Sequence, residues 1–248
     1  MLNLFAQMLR VMEAAFEDYQ TAAGPVQRVD VGPGWVYRFE KKDIYHAVLM
    51  KLALLLSTLH AARTLNKAGH FAQQAMLQRV IEEANEDILF LVYAATNDSF
   101  TELHQRYLDA FWAEEYADHH DTLGSHQSRP MIPRKKIQAF LARIEGTELD
   151  PSRGSQLSKL LAKTYSGFVH GASPNIMEMY GGEPPRFFTR SLSGTPREDE
   201  YRRDLWNYMY RGFLSFVFAA KMYGAEQHVE KLVEYKEHFE AAMGKDYG

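Results

Sequence analysis

Lys163, Ser166 and His170 stand at i, i+3 and i+7 within the run 163–182, which continues through Gly171 and Pro174 to Gly181-Gly182. On a helix those positions share a face, so an ammonium, a hydroxyl and an imidazole would point the same way. Imidazole moves protons near neutral pH. A cation two turns away would hold a phosphate or stabilise developing negative charge. The same spacing also suits a helix C-terminus, with His170 capping carbonyls and Ser166 bonding the backbone.

Three other groupings carry weaker chemistry. Arg79, Glu82, Glu83, Glu86 and Asp87 lie on one helical stretch. Its acidic i,i+4 pairs suit a divalent metal, or a solvated or salt-bridged face in which Arg79 neutralises Glu83. Glu115 and His119 are spaced for two metal ligands, followed by His120, Asp121 and His126, and Glu234 with His238 repeats that spacing. Neither pair has the Glu-x-x-His spacing of a carboxylate-bridged metal bundle, so an exposed polar helix end is expected and no metal site is assigned. Arg186, Arg190, Arg197, Arg202 and Arg203 interleave with Phe187, Phe188 and Tyr201, a mixture that suits single-stranded nucleic acid. Glu183, Glu198, Asp199, Glu200 and Asp204 dilute its charge and favour a salt-bridged loop.

Helices must position all of these. Leu2, Phe5, Leu9, Met12, Phe16 and Tyr19 form one stripe, which predicts a helix over 2–22 stopped at Gly24-Pro25. Residues 25–43 read as a loop with two extended pieces, a small hairpin. Asp43 caps a helix over 44–68, and Gly69 separates it from one over 71–96. Asp98 or Ser99 caps a helix over 100–119, and a polar loop spans 120–131. A basic helix covers 133–145. Asp150-Pro151 opens the helix that reaches Val169 or His170, and a short helix runs from Pro174 to Tyr180. Thr195-Pro-Arg-Glu198 predicts a capping box for a helix to Tyr223, before a last one over 226–243. The expected fold is all-α, a single bundle of about eight helices: an extension over 1–43, a core over 44–224 and a final helix over 225–248.

The 248 residues are 46% hydrophobic and 24% charged, with a net charge of -4 and no cysteine. That excludes disulfides, thiolate metal sites and a thiol nucleophile, and predicts a cytoplasmic protein. The net charge leaves nucleic-acid contact to a local basic patch. The longest apolar run, 88–95, is far short of the roughly 20 residues of a membrane helix. No membrane contact and no cofactor are expected.

Tyr165-Ser166-Gly167-Phe168-Val169-His170-Gly171, with the upstream Arg79-x-x-Glu82 helix, resembles the HEPN-like helical superfamily. The likeness covers about 44–224, includes Met177-Glu178-Met179-Tyr180-Gly181-Gly182, and is nearest to the uncharacterised and abortive-infection-type bacterial branches. Active members carry an Arg, some four to six residues, then a His, and two such helices meet across a dimer. His170 matches the His. The longest spacing lands on Lys163, and the shorter ones on Thr164 and Tyr165. Lys keeps the charge but lacks the planar fork that grips phosphate. The resemblance therefore implies a homodimeric, non-catalytic ligand-binding or interaction module from a bacterial defence or stress system. The alternative it implies is a metal-independent endoribonuclease, with His170 as general acid/base, Lys163 as phosphate clamp and Ser166 as orienting group. Arg79 and Glu83 would brace the His170 helix. Tyr165, Arg186 and Arg190 would contact an RNA or a phosphate-containing ligand. The dimer is expected to bury part of 88–95 or 205–218.

Overall fold

The computed structural model describes residues 2–31, 34–114, 116, 124–125, 131–144 and 163–244. Among them are nine helices and two small antiparallel strand pairs, an all-α bundle. Helix α1 (Leu2–Ala23) turns Phe5, Met8, Leu9, Met12 and Tyr19 inward. The chain then makes the hairpin β1 (Val26–Val31) and β2 (Gly34–Phe39).

Helix α2 (Ile44–Ala68) starts as expected at Asp43, whose carboxylate accepts the His46 N–H at 3.0 Å. Burial works to raise the Asp43 pKa, but the bonds from His46 pull it below the usual carboxylate range. Gly69 closes the helix in the left-handed region, and α3 (Phe71–Thr96) follows. Helix α2 is the one described helix long and apolar enough to cross a membrane by length and composition. It packs instead between α1, α3 and α8, with Leu52, Leu55 and Leu59 fully buried.

Helix α4 (Glu102–Trp112) departs from the expected 100–119 at both ends. Thr101 caps it, with His104 accepting the Thr101 N–H at Nδ1 in place of the usual acidic residue. Beyond Ala113 the carboxylate of Glu114 is held by Arg38 at 2.7 and 2.8 Å, which takes the chain off the helix axis. His104 is fully buried, stacked on Phe90 at 4.0 Å with Phe140 edge-on. Burial lowers its pKa below 6.5, so the folded chain holds it neutral. The unfolded chain therefore binds more protons between that lowered value and 6.5. The stability that His104 contributes is complete above about 6.5 and is lost as pH falls through the folded value. His104→Asn keeps an acceptor for Thr101 and cannot titrate. Urea denaturation at pH 7 and pH 5 should show the gap between wild type and variant narrowing at the lower pH.

Helix α5 (Arg134–Leu141) is shorter than the expected 133–145. Residues 163–169 belong to α6, whose expected start at Asp150-Pro151 lies outside the described residues, and α7 (Ser173–Met177) follows. Tyr180–Gly181 (β3) leaves the helix expected there and pairs with Arg186–Phe187 (β4). Helices α8 (Glu198–Met222) and α9 (Glu226–Met243) complete the chain. The capping box expected at Thr195 is not made. Its hydroxyl donates to the Leu192 carbonyl at 2.6 Å, and the Glu198 carboxylate accepts from the Gly194 N–H at 2.7 Å.

Helices α2, α3 and α8 form the centre, α1 and α9 cover α8, and α5 lies on α3. One continuous apolar cluster joins Phe5, Leu52, Ile88, Trp206, Phe213 and Phe239. Each such side chain contributes roughly 1.5–3 kcal/mol on burial. Much of the two stretches expected at a dimer face lies in the core: Ile88, Phe90, Leu91, Leu205, Trp206, Phe213 and Phe216 are buried within one chain, while Phe218 is exposed.

Candidate functional site

Tyr165 and Phe168 decide how α6 sits. Both are buried, so the opposite face of the helix points outward. That outward face is the one shared by Lys163, Ser166 and His170. Lys163 and His170 are exposed and Ser166 is half-buried. Among the described residues no side-chain hydrogen bond or ion pair joins these three to one another, to Arg79 or to Glu83. The expected convergence on α3 is therefore not formed. Arg79 and Glu83 pair with each other at 2.5 Å. His170 ends the helix through its backbone, its N–H reaching the Ser166 carbonyl at 3.0 Å.

The basic loop follows its salt-bridged reading. Arg197 pairs with Glu200 at 3.0 Å and Arg202 with Glu198. Arg186 lies over the Phe188 ring, and Arg190 is exposed. Tyr201 is buried, stacked on Phe71 at 5.2 Å and donating to Glu178 at 2.5 Å. Glu115 and His119 lie outside the described residues, as do Asp118, His120, Asp121 and His126. No group of three metal-ligating side chains is assembled among the described residues.

The acidic stretch of α3 is a different object from a solvated face. Glu82, Glu86 and Asp87 are buried, and each meets a cation from another helix. Arg211 on α8 faces both Glu82 oxygens at 2.5 and 2.8 Å. Arg134 on α5 contacts both Glu86 and Asp87. Lys51 on α2 reaches Asp87 at 2.7 Å, and Gln138 donates to Glu86 at 3.0 Å. Burial still raises the Glu86 pKa against the pull of Arg134 and Gln138. Burial also opposes the charge on Arg134, but Asp87 and Glu86 overcome it and hold that guanidinium protonated. With these carboxylates already occupied by cations, the row ties α2, α5 and α8 to α3 and leaves no open metal seat.

Beside this row opens a pocket of about 370 Å³ lined by Tyr165, Asp204, Trp206, Asn207, Tyr208 and Arg211. The Tyr165 hydroxyl donates to Asp204 at 3.5 Å, and the Tyr208 ring stands edge-on to Tyr165 at 5.5 Å. The result is a phenol resting on a carboxylate, with a second aromatic ring against it. Burial raises the Tyr165 pKa to about 12, so the phenol stays protonated. Burial, then Glu200, raises the Asp204 pKa, and the bond from Tyr165 works against them. Arg211 is neutralised by Glu82 behind the pocket. Among the described residues no ion pair within 4 Å reaches Asp204, although the charge of neighbouring Arg203 acts on it, so the pocket presents a carboxyl without a contacting cation between aromatic walls. Of these residues only Tyr165 is marked by its sequence motif. Asp204 looks in the sequence like charge dilution, although Asp204, Tyr208 and Arg211 stand at i, i+4 and i+7 and share one face of α8.

No family model, curated protein or solved structure matches the chain.

Proposed function

We propose that this chain is a non-catalytic ligand-binding module of the HEPN-like helical kind, and that its ligand is a small amine seated against Asp204. The Asp204 carboxylate, met by the Tyr165 hydroxyl and walled by Tyr165, Tyr208 and Trp206, carries the reading. A partly buried carboxylate with no cation in contact is costly, and an ammonium ion seated on it relieves that cost. Aromatic faces around it add cation–π attraction of about 0.5–2 kcal/mol. The volume of about 370 Å³ lies within the range of small-molecule pockets.

The endoribonuclease alternative asks more of α6 than its geometry supplies. A general acid/base needs an orienting partner and a cation over the phosphate. His170 and Lys163 face solvent with neither group engaged among the described residues. The test is calorimetric titration with a panel of mono- and diamines. Asp204→Asn should weaken binding at least about tenfold, a loss of roughly 1.4 kcal/mol. Tyr165→Phe should weaken it less, by removing one donor to the carboxylate. His170→Ala should bind as the wild type does and unfold at the same urea concentration. Binding that ignores Asp204→Asn, or no amine binding at all, would sink this reading. RNA cleavage that disappears in His170→Ala would favour the nuclease.

A further inference from the structure

The β1–β2 hairpin leaves more apolar surface open than any other strand pair in the described chain. Val29, Trp35 and Tyr37 are 38%, 47% and 58% exposed, and residues 26–30 of β1 are exposed throughout. Register pairs Val31 with Gly34, Val29 with Val36 and Arg28 with Tyr37. A two-residue connection between paired positions 31 and 34 makes that pair exchange both its hydrogen bonds. The inward bonds then alternate through Val29 and Gln27. The N–H and C=O groups of Val26, Arg28 and Asp30 are left pointing away from β2, along an edge with no strand beside it among the described residues. Such an edge is a template for another strand.

We propose that this edge pairs with β1 of a second copy, antiparallel about a two-fold axis at Val29. Three observations select that occupant and that register. Outward-pointing residues must meet outward-pointing residues, so the axis passes through a residue and not between two. An axis at Arg28 or at Asp30 sets like charges against each other, which is destabilising for directly opposed residues. An axis at Val29 places Arg28 opposite Asp30 of the second copy, and repeats that pairing on the other side. Val29 meets its own copy at the axis, in the pair type whose side chains approach closest. Trp35 and Tyr37 lie edge to face at 4.9 Å, and the Arg28 guanidinium lies 4.9 Å from the Trp35 ring centroid. Within one chain the Arg28–Asp30 contact is long, at 3.7 Å, and exposed, so little is lost when each side chain turns to the second copy. The product is a four-stranded sheet, β2–β1–β1–β2, in which each hairpin gains the neighbour that an isolated two-stranded sheet lacks. Its modest area makes the association a weak one.

Sedimentation equilibrium of the full chain across the micromolar range tests this. The wild type should rise towards twice 28.6 kDa with concentration. Arg28→Asp and Asp30→Arg should each stay monomeric, because each sets like charges across both contacts. An equimolar mixture of the two variants should recover the dimer, since its contacts are Asp to Arg on both sides. Circular dichroism should be unchanged in both, as the substituted side chains are exposed. A monomeric wild type would overturn the proposal. So would variants that dimerise as the wild type does, which would place the dimer on another face, or a mixture that stays monomeric.

Discussion

Replacing Arg134 with Met is expected to cost about 3–5 kcal/mol of stability, the range for removing one partner of a buried ion pair. Its guanidinium is the sole described cation on Glu86 and shares Asp87 with Lys51. Met fills the aliphatic volume, so the loss comes from charge and not from a cavity. Glu86 would keep only the Gln138 amide as a described partner, and Asp87 would keep Lys51. Glu86→Gln in the Arg134→Met background should therefore recover much of the loss, and Asp87→Asn should recover less. The pH dependence has a definite sign. The Glu86 pKa is already raised above 4.5, and losing Arg134 raises it further. A folded carboxyl with a raised pKa binds more protons than the unfolded one, so stability falls as pH rises through that window. The cost of Arg134→Met should be larger at pH 7 than at pH 5. Urea denaturation at both values measures it, and equal losses would mean that Glu86 does not depend on Arg134.

The sequence disclosed the parts of this molecule that depend on neighbours in the chain. Phe5, Leu9, Met12 and Tyr19 mark the buried stripe of α1, Asp43 and Gly69 bound α2, and the i,i+4 pair Arg79–Glu83 forms as its spacing implies. Lys163, Ser166 and His170 do share a helix face. Which face turns inward was set by Tyr165 and Phe168, whose apolar bulk outweighs three polar groups, and that clue was present in the same run. The acidic row was legible only as a row. Its meaning depends on Arg134, 47 residues from Asp87, and Arg211, 129 residues from Glu82. No local spacing reports such partners. Asp204 was missed for the same reason, since Tyr165 reaches it across 39 residues. The Thr195 capping box failed on local competition, because the Leu192 carbonyl takes the Thr195 N–H that Glu198 would have accepted, Glu198 accepts from Gly194 instead, and the helix begins only at Glu198.

Gly69→Ala is expected to destabilise the fold by roughly 2–5 kcal/mol, from two costs of similar size. The first is backbone strain. Gly69 ends α2 at φ +75°, with its N–H on the Asn66 carbonyl and the next N–H on that of Leu65. A side chain in that left-handed region costs about 1–2 kcal/mol. The second is overlap. An added methyl would lie 2.2 Å from Ser191 Oγ, 2.3 Å from Ser193 Oγ and 2.9 Å from the Ser193 backbone nitrogen. The hydroxyls can rotate, but the backbone nitrogen cannot, because the Gly69 carbonyl fixes this loop by accepting the Leu192 N–H at 2.9 Å. Overpacking of this kind costs about 1–3 kcal/mol. The smaller entropy of an unfolded chain carrying Ala returns only about 0.4–1 kcal/mol, so it does not win. Gly224 separates the two costs. It has φ +66° with nothing within 4 Å, so Gly224→Ala should show the strain alone. The effect of Gly69→Ala should also reach the candidate site. The loop it displaces leads into α8, where the Tyr201 carbonyl accepts from Gln74 at 3.0 Å and Asn66 at 3.5 Å. Loosening that corner frees the helix turn that carries Asp204. Hydrogen exchange over 198–204 should accelerate in Gly69→Ala and not in Gly224→Ala. Equal exchange in both variants would show that the α2–α3 corner does not hold α8 in place.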